Sequence, residues 1–193
     1  MLSVLLELQR LKRLDRTGWV LRGLPPGAES VASHSYGVAL AAMLLADECA
    51  GRGVRVNVER VLRLALLHDL AETRTGDMPR TVADYYSRDA RKRAERAAFD
   101  DVMRGASGAA RYAALHEDYE ERESLEARLV KAADVIDLLA QALAFERAGA
   151  RGLGEFWERA EERDFNLEGA SRDVVRETIN ALVRARNEVS GER

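Results

Sequence analysis

Apolar residues recur along most of this chain at spacings of three and four, the period of an α-helix with one buried side. Sustained strand-like alternation is absent. Leu2, Leu5, Leu6, Leu8 and Leu11 give a first helix its apolar side. The Gly- and Pro-rich stretch "TGWVLRGLPPGAES" then predicts a loop. Ser33 is the expected N-cap of a second helix, rich in Ala, Leu and Met, running to about Glu48. After "AGRGVRV", Asn57 caps a third helix with Glu59 and Arg60 in its first turn. That helix runs through Val61, Leu62, Leu64, Ala65 and Leu67 into His68 and Asp69.

"RTGDMPR" predicts a second loop, turning at Gly76, with Pro79 suited to open the next helix. A highly charged helix is expected from about Thr81 to Arg104, and another from about Ala109 to Glu121. The most regular stretch, "ESLEARLVKAADVIDLLAQALAFERA", places Leu125, Leu129, Ala132, Ile136, Leu139 and Leu143 on one side. One shorter and one longer helix over about 153–188 complete an all-α fold, without internal repeats or low-complexity segments.

A chain of 193 residues fits one domain, so residues 1–193 are expected to fold as a single helical unit. The balance of 30 basic against 33 acidic residues leaves a net charge of -3, and no overall basic field to recruit nucleic acid. No apolar stretch approaches the roughly 20 residues a membrane span needs. The opening "MLSVLLELQR" lacks a basic leader and carries Glu7, so it reads as a helix rather than a signal peptide. The single cysteine, Cys49, forms no internal disulfide and suits a reducing, cytoplasmic setting.

The chemistry concentrates around one of the three histidines. His68 adjoins Asp69, Glu72 follows one turn on, and Asp77 can fold back past Gly76. Helix C-termini favour cations, yet acids accumulate here after an apolar run. Two carboxylates about 4 Å apart repel by roughly 4 kcal/mol at an effective dielectric near 20, so a cation or a raised pKa must compensate. Histidine nitrogen with carboxylate oxygen suits a divalent ion such as Zn, Mn, Co or Fe, and further carboxylates and waters admit Mg or Mn. Asp134 lies among Val130, Ala132, Ala133, Val135 and Ile136. An aspartate in such surroundings is paired or coordinated; an arginine partner, a capping role and a metal explain it equally well. Asp137, one turn on, reads as a solvated or supporting group, and His116 as structural.

In order along the chain, His34, His68–Asp69 and Asp134 resemble the H…HD…D pattern of the HD-domain metal-dependent phosphohydrolases. The blocks "LKRLDRTGWVLR", "ESVASHSYGVA", "RLALLHDLAETRTGDMP" and "LEARLVKAAD" are similar to those of HD-domain 5′-deoxynucleotidases, across a core of about residues 9–145. The resemblance implies that His34, His68, Asp69 and Asp134 bind a divalent cation (Mn, Co or Mg, with Zn or Fe as alternatives). It makes Glu72 the general acid/base. Asp77 would contact the sugar or hold a second cation with Glu72; Arg16 would bind the 5′-phosphate, and Trp19 would lie near the sugar. It also implies a nucleotide substrate and a homodimer. Two features depart from the pattern: Ser33 stands where many relatives have an acid, and Thr17 and Gly18 separate Arg16 from Trp19. Read without the resemblance, Trp19 is a core or loop anchor and Arg16 a surface arginine. Rival readings are an HD phosphohydrolase acting on another nucleotide (a ribonucleotide, a triphosphate or an alarmone) and a non-enzymatic helical module with a structural metal.

Overall fold

The computed structural model describes residues 1–79, 81–82 and 85–191. In chain order the helices are α1 (Leu2–Leu8), α2 (Thr17–Val20), α3 (Val31–Gly51), α4 (Val58–Leu67) and α5 (Glu72–Thr75). They continue as α6 (Arg88–Met103), α7 (Ala109–Glu121), α8 (Leu125–Arg147), α9 (Gly154–Trp157) and α10 (Gly169–Ser190). The described residues contain no strand, only an isolated antiparallel bridge between Asp15 and Ser30. The fold is all-α, as the periodicity predicts. The helices gather into two compact units, one of Met1–Tyr36 with Arg63–Glu121, the other of Gly37–Leu62 with Arg122–Arg193.

In the first unit, α6 packs on α1, α5 and α7. Val4, Leu11, Val31, Leu70, Phe99 and Val102 share its core. The buried side of the N-terminal segment therefore differs from the expected one. Val4 and Leu11 face inward with Leu8 against them, whereas Leu2, Leu5 and Leu6 are exposed. Leu2, Leu5 and Leu6, at i, i+3 and i+4, do share one side of the helix, but Val4 and Leu8, one turn apart on a different side, take the core.

Caps place the helix starts. Ser30 Oγ accepts the Ser33 N–H at 3.1 Å, so Ser30, and not Ser33, caps α3. The Asp15–Ser30 bridge fixes this earlier start. Asn57 Oδ1 accepts the Arg60 N–H at 3.0 Å, capping α4 as its sequence indicates. α6 begins at Arg88 behind Ser87, whose side chain accepts the Ala90 N–H at 3.2 Å. The expected start at Thr81 is thus too early: Pro79 leads into a short 3-10 turn at 81–82, and residues 80, 83 and 84 lie outside the described residues.

The second unit is organised by α8, which packs on α9 and α10. Ser124 caps it by accepting the Ala127 N–H at 3.1 Å. Leu129, Ala132, Ile136, Leu139 and Leu143 are buried as expected, but so are Val130, Ala133 and Val135, so the helix is covered on more than one side. Gly37 on α3 lets Asp137 press against the backbone: a Cβ there would lie 2.1 Å from Asp137 Oδ1. Cys49 is completely buried, and burial raises its thiol pKa against the opposing charge of Arg52.

His116 on α7 is buried and stacks on Phe99 with ring centroids 4.2 Å apart, a packing role in keeping with its sequence reading. Burial lowers its pKa from 6.5 to about 4, and the nearby Asp100 charge does not overcome this. Between these values the unfolded chain binds the proton that the folded protein rejects, so stability falls as pH drops from 6.5 toward 4. The full effect is at most about 3 kcal/mol. His116→Phe is expected to flatten this part of the acid limb, measured as the pH dependence of denaturant midpoints against wild type; parallel limbs would contradict it.

Candidate metal centre

α4 carries a buried apolar side, with Val61, Leu64 and Ala65 at 0 to 1% exposure, and stops at Leu67. His68 and Asp69 therefore do not extend this helix, contrary to the sequence expectation. The chain tightens through hydrogen bonds from Leu70 N to Leu67 O, Glu72 N to Asp69 O and Thr73 N to Leu70 O, each three residues back. His68 and Asp69 thus sit in a tight turn, and Glu72 opens the separate short helix α5.

This turn fixes the His68 tautomer. Its Nδ1 lies 2.7 Å from the Ala65 carbonyl oxygen, which can only accept, so Nδ1 carries the proton. Nε2 is left as a bare nitrogen, buried and making no hydrogen bond. Asp69 Oδ2 stands 3.2 Å from it. The same oxygen lies 3.6 Å from Nε2 of His34, which is buried on the first turn of α3, and 3.3 Å from Nη1 of Arg16. The two imidazole rings meet edge to face at 5.5 Å, and Tyr119 backs His68 at the same separation. A bare nitrogen facing a carboxylate oxygen is repulsive by itself; a divalent cation shared by both makes the pairing favourable, and N and O donors suit it. The residues present fit a metal ion.

Burial alone would raise the Asp69 pKa. The neighbouring His68, His34 and Arg16 outweigh it and hold the carboxyl well below the usual carboxylate range. Asp69 is therefore ionised, the state in which a carboxylate can take a metal ion.

The remaining expected residues fall in distinct places. Gly76 has φ of 76°, a left-handed conformation that turns the chain so that Asp77 folds back, as its sequence position suggested. Asp77 Oδ1 lies 3.4 Å from Arg16 Nη1, and Oδ2 accepts the Thr17 N–H at 2.5 Å. Arg16 is the N-cap residue of α2 and is half-buried, not a surface arginine. Glu72 is half-buried, with Oε2 out of contact with solvent. Trp19 is 1% exposed and its indole N–H donates to the buried carboxylate of Glu29, which makes it a loop anchor. Its expected place beside a sugar finds no support in that burial. His34, His68, Asp69, Arg16 and Asp77 are thus brought together within the first unit. Asp134 belongs to the second, where its Oδ2 accepts a hydrogen bond from Lys131 Nζ at 2.7 Å.

Sequence reasoning missed three contributors. Lys131 lies three residues before Asp134, a spacing that brings side chains together on a helix and could have found it. Thr17 and Tyr119 reach the site across 60 and 51 residues of sequence, which no local pattern reveals.

Comparison with known proteins agrees with this chemistry. The HD domain family model matches residues 8–166, and the chain belongs to the HD-domain family. The 5′-deoxynucleotidase HDDC2 of Xenopus laevis is 35% identical over 144 residues, spanning 74% of this chain and 67% of that relative. The HDDC2 protein of Danio rerio is 36% identical over 153 residues, spanning 76% and 70%. Among solved structures, a conserved hypothetical protein from Pyrococcus furiosus superposes with a TM-score of 0.79 at 36% identity, covering 95% of this chain and 99% of that one.

Proposed function

We propose that this protein is a metal-dependent phosphomonoesterase that hydrolyses deoxyribonucleoside 5′-monophosphates to deoxynucleoside and phosphate. The observation that carries the reading is the half-buried Asp69 carboxylate, set between the bare Nε2 of His68, the His34 ring and the Arg16 guanidinium. The relatives named 5′-deoxynucleotidase, matched over most of the chain, supply the substrate class.

His34, His68, Asp69 and Asp134 would hold the ion, with Mn, Co or Mg favoured and Zn or Fe as alternatives. The family match runs across both compact units, which supports their working as one catalytic domain, with the helices over 153–188 as its C-terminal part. A divalent ion bound there acidifies water and neutralises phosphoryl oxygens. Arg16 holds the phosphate through its planar fork of donors. Glu72 takes a proton from the attacking water as the water oxygen bonds to phosphorus, then returns it to the departing 5′-oxygen as the P–O bond breaks. Trp19 influences the sugar only through the loop it anchors.

Among the described residues no helix is long and apolar enough to cross a membrane. We place the enzyme in the cytoplasm, without nucleic-acid partners, as a homodimer. The exposed Tyr36, Leu40 and Leu44, one turn apart along α3, form an apolar stripe that suits self-association.

Phosphate release from paired dNMPs and NMPs, with nucleoside triphosphates and an alarmone alongside and Mn, Co or Mg added, tests the substrate reading. The dNMPs are expected to turn over fastest, and equal or faster release from another class would replace the assignment. His68→Ala and Asp69→Ala are expected to lose activity at least a hundred-fold while keeping a cooperative melt. Glu72→Ala is expected to retain bound metal, measured by elemental analysis, yet to lose about a hundred-fold or more in kcat; normal turnover would reassign the base.

A further inference from the structure

Asp77 has both carboxylate oxygens engaged. Oδ2 accepts the Thr17 N–H at 2.5 Å, and Oδ1 lies 3.4 Å from Arg16 Nη1. The Asp77 backbone carbonyl also accepts the Thr17 hydroxyl at 2.8 Å. Thr17 is the first residue of α2, where a helix leaves its N–H without an acceptor of its own. Asp77, sixty residues further along, supplies that acceptor. The loop bearing Arg16 and the loop after Gly76 are therefore clasped through main chain and side chain together. Arg16 is the residue immediately before the clasp, and its Nη1 faces Asp77 and Asp69 at once.

We propose that Thr17 and Asp77 are positioning residues that set the Arg16 guanidinium for an incoming phosphate. This rests on the reading of Arg16 as the phosphate-binding group. The inserted Thr17, which separates Arg16 from Trp19 in the sequence, gains a purpose: its hydroxyl supplies the second strand of the clasp.

Wild type, Thr17→Val, Thr17→Ser and Asp77→Asn are compared by three readouts: bound Mn per chain, affinity for inorganic phosphate by calorimetry, and kcat and KM for a dNMP. Thr17→Val is expected to weaken phosphate affinity and raise KM about five-fold, the value of one hydrogen bond, with kcat within about two-fold. Thr17→Ser, which restores the hydroxyl, is expected to recover both. Asp77→Asn is expected to weaken phosphate affinity more, through loss of its charge beside Arg16, without lowering Mn per chain. Unchanged phosphate affinity in Thr17→Val, failure of the serine variant to recover it, or loss of one Mn equivalent in Asp77→Asn would each overturn the proposal. An inactive wild type would defeat the phosphatase reading alone, because phosphate affinity and Mn counts still decide whether the clasp positions Arg16.

Discussion

The site depends on keeping one carboxylate ionised away from bulk water. Asp69 pays a desolvation cost, which by itself would raise its pKa, and the neighbouring His68, His34 and Arg16 reverse the balance. One oxygen serves His68, His34 and Arg16 together. Loss of that charge would leave an arginine and two histidine nitrogens facing a neutral acid.

The backbone makes this arrangement at the place where a helix gives out. α4 buries Val61, Leu64 and Ala65, then yields to a tight turn whose carbonyl at Ala65 holds the His68 ring. Within that turn Asp69 Oδ2 stands 3.2 Å from its neighbour's Nε2. Gly76 then reverses the chain, so that Asp77 meets the Arg16–Thr17 segment.

What could be read from the sequence was local. Helical periodicity showed the fold class, Asn57 marked a cap, and Gly76 marked a turn. Positions decided by distant contacts were not legible. Ser30 and Ser33 look alike as caps, and only the bridge to Asp15 selects Ser30. Leu2, Leu5 and Leu6 look as apolar as Val4, but the core admits the valine. The end of α4 at Leu67 is hidden, because the residues that follow have no helix-breaking signal before Gly76. At the site, the prospect that Asp134 is paired was visible, and Lys131 is a basic partner. Arg16 became visible only through family resemblance, and Thr17 only through its contacts with Asp77.

Cys49 has one further consequence. The only thiol of the chain is sealed inside α3, and burial keeps it protonated. Thiophilic ions such as copper(I) therefore find no thiolate to capture, and thiol-alkylating reagents find no accessible cysteine.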